Sequence, residues 1–395
     1  MREAVIVAAV RSPGGRYRRG GLAATRAEEF GLQVVKGLLA KVPQLDPKDV
    51  DDLIVGCAFP EAETGMNLGR VLSLGAGLPV ETSGMTINRF CSSGLQAIAD
   101  ATAKIRAGWS DVIIAGGCET MSHIPMGGSR FRPDPDWGSR PNTYVSMGIT
   151  AENVAARHNV SREDQDKMGV ESNRRAAEAL KAGKFKDETI PVKAWRYKKD
   201  AAGRRVREEV PFSEDDGVRW PTTVADLAKL KPAFKAGGSV TAGNSSQMTD
   251  GAAFTLLMTA EKAKALGLNP VARLAFYAVA GCAPEEMGIG PAVAIPKVLK
   301  LAGLKTEDIE LFEINEAFAA QAIASCRSLG LEERYWTGDI NPNGGAIALG
   351  HPLGATGAKL TAQILHEAKR RKAKRCMVSM CIGGGMGAAG IYEMF

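Results

Sequence analysis

The chain has 395 residues, 45% of them hydrophobic and 24% charged, with a net charge of +6. That length allows two or three packed units and a core large enough to need no disulfide or metal staple, and no run approaches the ~18–20 apolar residues of a membrane span. The charge would suit an anionic small ligand as well as nucleic acid. The densest basic run, Lys369 to Arg375, carries no interleaved aromatic residues. It fits the end of a helix, where cations complement the carbonyl dipole, and no nucleic-acid partner is expected. Seven scattered cysteines with no export signal ahead of them fit free thiols in a reducing cytoplasm.

In chain order, Ala4 to Val10 predicts a buried strand, too short for a signal core and followed at once by Arg11. Phe30 to Leu39 predicts a helix, and Asp49 to Gly56 runs into a second strand. Cys91-Ser92-Ser93-Gly94 opens a helix with Leu95, Ile98, Thr102 and Ile105 on one face, which ends near Ala107 and leads to a strand from Val112 to Ala115. From about residue 122 to 250 the pattern breaks, with Pro125, Pro191 and Pro211 and three of the five tryptophans, Trp137, Trp195 and Trp220. This stretch predicts a long excursion covering a site. The first order then returns: a strand from Val271 to Ala280, a helix from Ala292 to Ala302, the strand ending at Asn315, a loop from His351 to Gly357 opening a helix to about Arg371, and a strand from Met377 to Met380.

The offset between the two series stays near about 260 residues, which marks an internal duplication. Short, almost wholly apolar strands alternating with helices are buried on both faces. The expected architecture is therefore two α/β halves packed as layers about an approximate twofold, residues 1–121 with 251–269 and residues 270–395, with residues 122–250 inserted between them.

Four segments carry chemistry. In Asn88-Arg89-Phe90-Cys91-Ser92-Ser93-Gly94 a cysteine sits where an extended stretch turns into a helix. Unpaired N–H groups at such a place can pull a thiol pKa from ~8.5 to roughly 3.5–7.5. A small buried hydrophobe is the competing reading for any free cysteine; the tight Ser-Ser-Gly turn behind this one favours reactivity. His351, one of four histidines, lies in the loop that matches the Cys91 loop of the other half, so the pseudo-twofold would supply the base a thiol needs. Cys381 leaves a buried strand into Gly383-Gly384-Gly385-Met386-Gly387, where N–H groups could face a developing oxyanion or simply make a turn. Asn315-Glu316 stands at a strand end, where ligands bind in open α/β sheets, with a plain helix cap by Asn315 as the alternative. No metal site is predicted, because no CxxC pair or HExxH is present. The literal GxGxxG from Gly385 to Gly390 has no room for a following helix.

In this order the four segments resemble the signature blocks of thiolases, and the resemblance spans the chain, taking in Thr150 to Ala155 and Thr241 to Ser246. It implies duplicated α/β halves layered α-β-α-β-α with an inserted loop domain. It also implies that Cys91 attacks the 3-keto carbon of a 3-ketoacyl-CoA, that His351 activates the thiol, and that Cys381 protonates the departing enolate and later deprotonates CoA. One oxyanion hole would use His351 and a water held by Asn315, the other the N–H groups of Cys91 and Gly383. Coenzyme A would be a co-substrate held by the loop domain, with no permanently bound cofactor. Arg219 would lie near the adenine and Ser246 on the pantetheine, with Met147, Phe234, Ala242 and Phe318 along the channel; a plain solvated charge is the other reading of Arg219.

Family members are dimers or dimers of dimers, so a homodimer or homotetramer is expected, and a β-oxidation multienzyme partner is left open. The Phe-Cys-Ser-Ser-Gly segment, and Ser146 before Met147, resemble the degradative 3-ketoacyl-CoA type more than the biosynthetic acetoacetyl-CoA type. A decarboxylating condensing enzyme would normally bring a second histidine or an asparagine where Cys381 stands, and a non-catalytic acyl-CoA carrier would have lost one of the reactive residues.

Overall fold

A computed structural model of the chain describes residues 2–139 and 142–395, so positions 140 and 141 of the excursion lie outside the described residues. The first half opens with β1 (Ala4–Arg11), the two-residue β2 (Gly15–Arg16) and α1 (Ala27–Ala40), then β3 (Asp52–Gly56), α2 (Leu68–Gly75), β4 (Ser83–Ile87), α3 (Ser93–Arg106) and β5 (Val112–Glu119). Helix α1 forms because Phe30, Val34, Val35 and Leu38 recur at helical spacing and are buried on one face. The excursion holds α4 (Met147–Arg157), α5 (Arg162–Lys181), a hairpin of β6 (Val192–Lys199) and β7 (Arg205–Phe212), and α6 (Val224–Ala228). The chain then re-enters the first half as β8 (Thr249–Thr259) and α7 (Ala260–Ala265).

The second half runs β9 (Ala272–Gly281), α8 (Gly290–Ala302), β10 (Leu311–Ile314), α9 (Ala319–Ser328), α10 (Glu332–Trp336), α11 (Ala346–Leu349), α12 (Leu353–Arg371), β11 (Arg375–Ile382) and β12 (Met386–Met394). Helix α8 stops at Gly303, whose φ of 65° is the left-handed cap that glycine adopts at little cost. The basic run does end α12, with Lys369, Arg370 and Arg371 in its last turn.

Strand pairing makes the duplication explicit. In the first half β3 pairs parallel with β5, β5 antiparallel with β8, and β8 antiparallel with β1. In the second, β10 pairs parallel with β11, β11 antiparallel with β12, and β12 antiparallel with β9. The two sets join edge to edge only where Ile6 meets Ala272. Helices α3 and α12 pack on each other between the sets, and their apolar faces share one core with Ile54, Ile113, Leu257 and Val378. Helices α1 and α2 cover the outer face of the first set, and α8 and α9 that of the second. The result is the α-β-α-β-α layering expected.

At three strands the structure departs from the sequence reading. Strand β5 runs past its apolar segment at the C-terminal end and β11 runs past its own at both ends, because backbone pairing continues beyond the apolar run. Strand β12 was not foreseen: its Gly387, Ala388, Ala389 and Gly390 carry little strand propensity, but it is held between β11 and β9. The turn before it, Gly383 to Gly385, occupies the place in the second half that the whole excursion occupies between β5 and β8 in the first.

Candidate active site

The two central helices begin side by side. A Cβ on Gly94 would lie 2.8 Å from the Ala358 nitrogen, and one on Gly357 would lie 2.3 Å from the Leu95 nitrogen. Small residues on both first turns thus let the Cys91 loop and the His351 loop meet. Glu119, at the end of β5, ties them: its carboxylate accepts from the Ala58 N–H at 2.7 Å and from the Gly354 N–H at 2.8 Å. Asn88 then links Ala58 to the Cys91 turn, donating to the Ala58 carbonyl and accepting from the Phe90 N–H. Glu119 escaped the sequence reading; a lone carboxylate ending an apolar strand was the available signal.

Cys91 is 7% exposed and packs against Ala58, Met121 and Leu353. Burial pushes its thiol up to about 12, against the N–H groups of Gly383 and of Cys91 itself, which favour the thiolate, and with Glu119 adding to the rise. This corrects the expectation of a depressed pKa. The helix end is present, but desolvation of the charged sulfur outweighs it.

His351 is held at both ring nitrogens. The Thr356 hydroxyl donates to the Pro352 carbonyl and stands 2.6 Å from Nδ1, so it accepts the Nδ1 proton and leaves the lone pair on Nε2. Nε2 faces the Asn315 amide nitrogen at 3.3 Å. Burial, with the nearby Lys359 ammonium, lowers the His351 pKa to about 3, so the ring is neutral and able to take a proton. Lys359 itself donates to the Gly350 carbonyl at 3.1 Å, fixing the peptide before His351.

Asn315 is not a helix cap, because α9 begins only at Ala319. Its side-chain oxygen is buried without a partner among the described residues. Cys381 is buried beside Met147, Ala317 and Phe318, and burial together with the neighbouring Cys91 raises its thiol well above the usual value. Gly384 and Gly385 take φ of 83° and 86°, a turn that brings the Gly383 N–H within reach of the Cys91 sulfur.

Met147, Arg219, Phe234, Ala242, Ser246, Phe318 and His351 all line one cavity of 730 Å³. The Phe234 and Phe318 rings meet edge to face at 5.9 Å. The Ser246 N–H donates to the Ala317 carbonyl at 2.9 Å, which joins the excursion's last loop to the Asn315 segment. Every residue singled out in the sequence therefore lies on this cavity or packs directly behind it. A larger groove of 1060 Å³ elsewhere, bordered by Lys369 and Lys374, holds none of them. Among the described residues no cluster of metal-ligating side chains is present.

Residues 4–261 match the family model for the thiolase N-terminal domain, and residues 268–394 match that for the thiolase C-terminal domain. The chain belongs to the thiolase family. It is 51% identical to a 3-ketoacyl-CoA thiolase of Bacillus subtilis over 395 residues, covering all of both chains. Among solved structures it resembles the acetyl-CoA acetyltransferase of Bacillus anthracis, with a TM-score of 0.89 and 40% identity over 100% of this chain and 99% of that one. It also resembles human mitochondrial 3-ketoacyl-CoA thiolase, with a TM-score of 0.88 and 38% identity over the same shares.

Proposed function

We propose that this thiolase cleaves 3-ketoacyl-CoA with CoA, giving acetyl-CoA and a shortened acyl-CoA, as an acyltransferase of fatty acid β-oxidation. Coenzyme A is a co-substrate, and no cofactor stays bound. The observation that carries this reading is the convergence on one cavity of a neutral imidazole that lines it and two thiols packed behind its wall, each brought by a different loop.

His351 Nε2 takes the Cys91 proton as the sulfur attacks the 3-keto carbon. The resulting oxyanion collapses, the C2–C3 bond breaks, and the acetyl-CoA enolate takes the proton of Cys381. In the second half-reaction the Cys381 thiolate takes the proton of the incoming CoA, whose sulfur attacks the Cys91 thioester. Cys91 leaves and regains its proton from His351. The His351 side chain and a water held by Asn315 serve one oxyanion, and the N–H groups of Cys91 and Gly383 the other. Residues 122–250 hold CoA, with Arg219 and Ser246 on the nucleotide and pantetheine parts and Met147, Phe234, Ala242 and Phe318 along the channel.

The test is CoA-dependent cleavage of 3-ketohexadecanoyl-CoA by wild type and Cys91→Ser, with mass spectrometry for the acyl-enzyme. Wild type cleaves and carries the adduct on Cys91, while the variant loses at least about 10³-fold in turnover. Cleavage of acetoacetyl-CoA alone would instead favour the acetyl-transferring activity named for the Bacillus anthracis relative. Absence of any acyl-enzyme would leave an acyl-CoA carrier.

The working protein is a cytoplasmic homo-oligomer in this reading. Support comes from strand β4, whose outer edge is unpaired, and from exposed Met66, Val71, Leu74 and Val80 around it.

A further inference from the structure

Two of the arginines that line the cavity, Arg16 and Arg219, stand near each other, and neither forms an ion pair among the described residues. Other arginines of this chain find acids readily, as Arg174 does with Glu171 and Glu178. Near the cavity the acids are engaged elsewhere. Asp215 binds the Arg11 guanidinium and the Gly14 N–H, and Asp216 accepts from the backbone N–H groups of Arg16 and Gly21.

The backbone of Arg16 is fixed on both sides. It pairs with Thr249 in the short β2 ladder, and its N–H donates to Asp216 at 2.8 Å. Its side chain makes no hydrogen bond among the described residues and borders the cavity. Arg219 is similarly placed: its N–H donates to Asn173 at 2.8 Å, and one guanidinium nitrogen reaches the Ala242 carbonyl at 3.3 Å. Burial, and then the charge of Arg16, pull the Arg219 pKa down. Two guanidinium groups held this way repel each other, with the half-buried Asp216 carboxylate near Arg16 as a partial offset, and an anion bound between them relieves the rest.

We propose that Arg16 binds phosphate, and that together with Arg219 it grips the phosphates of the 3′-phospho-ADP end of CoA. This rests on the reading that CoA occupies the cavity. A planar guanidinium fork matches phosphate oxygens in pairs, and two forks on a partly screened wall bind a multiply charged group better than one.

Arg16→Gln keeps the backbone contacts and removes only the charge. Two measurements separate charge from fold and from chemistry: calorimetric binding of CoA, and steady-state kinetics with CoA or pantetheine as the acyl acceptor. The Kd and KM for CoA rise about tenfold at low salt with kcat unchanged, Arg16→Lys recovers part of the loss, and the constants for pantetheine do not move. An unchanged Kd for CoA, or an equal loss with pantetheine, overturns the assignment. If wild type cleaves no ketoacyl-CoA but Arg16→Gln still weakens CoA binding, the proposed reaction falls and the phosphate contact stands.

Discussion

At the residue scale, Cys91 and His351 are each meaningful only through the other. A helix end contributes at most a few units of thiol acidity, whereas full burial can cost several in the opposite direction. The structure sides with burial, so the resting site holds a neutral thiol beside a neutral imidazole. In the proposed mechanism, charge then develops only as the Cys91 proton passes to His351 during attack on the substrate. The consequence for titration follows in sign. The native His351 pKa lies below its unfolded value, so the unfolded chain binds this proton first, and the stability tied to His351 is lost as pH falls from about 6.5 toward about 3. With only four histidines in the chain, carbon-13 labelled imidazole signals are assignable. The resonance missing in His351→Asn stays in its neutral position across about pH 5–8; titration near pH 6.5 would contradict the buried, Lys359-facing placement.

At the element scale, catalytic alignment depends on how closely α3 and α12 approach. Gly357→Ala would press a methyl group against the first turn of α3. It destabilises the protein by about 1–3 kcal/mol and lowers kcat by moving His351 away from Cys91, read as a reduced Tm together with slowed acyl-enzyme formation. Gly383→Ala is the matched control, since its nearest neighbour would be the Met147 sulfur at 3.5 Å, an ordinary contact; its Tm stays near wild type. The central helices and most strands were legible in the sequence because their apolar spacing is strong. Strand β12 and the C-terminal end of β5 were not, since small and polar residues join a sheet only when neighbouring strands offer them hydrogen bonds.

At the scale of the whole molecule, the chain is one duplicated fold in which a single hairpin has been opened and filled. Where a three-glycine turn joins β11 to β12, an excursion that covers the cavity joins β5 to β8. That excursion is fastened to the first half by Arg11, fully buried and paired with Glu188 and Asp215, each at 2.7 Å. The free edge of β4 and the apolar residues flanking it on α2 suit a second copy of the chain. Val71→Lys with Leu74→Lys shifts the sedimentation of the protein toward a monomer, and an unchanged oligomer would place the interface elsewhere.

The sequence by itself determined the duplication, the layered class and the chemical types of the site, because apolar periodicity and the Cys91, Asn315, His351 and Cys381 segments are local and survive in one dimension. The tertiary structure alone decided the directions in which burial moves the thiol and imidazole pKa values, the place of Glu119 between two loops and the presence of Arg16 and Arg219 on one cavity. Each of these depends on desolvation or charge between residues far apart in the chain, and no local pattern encodes such distances.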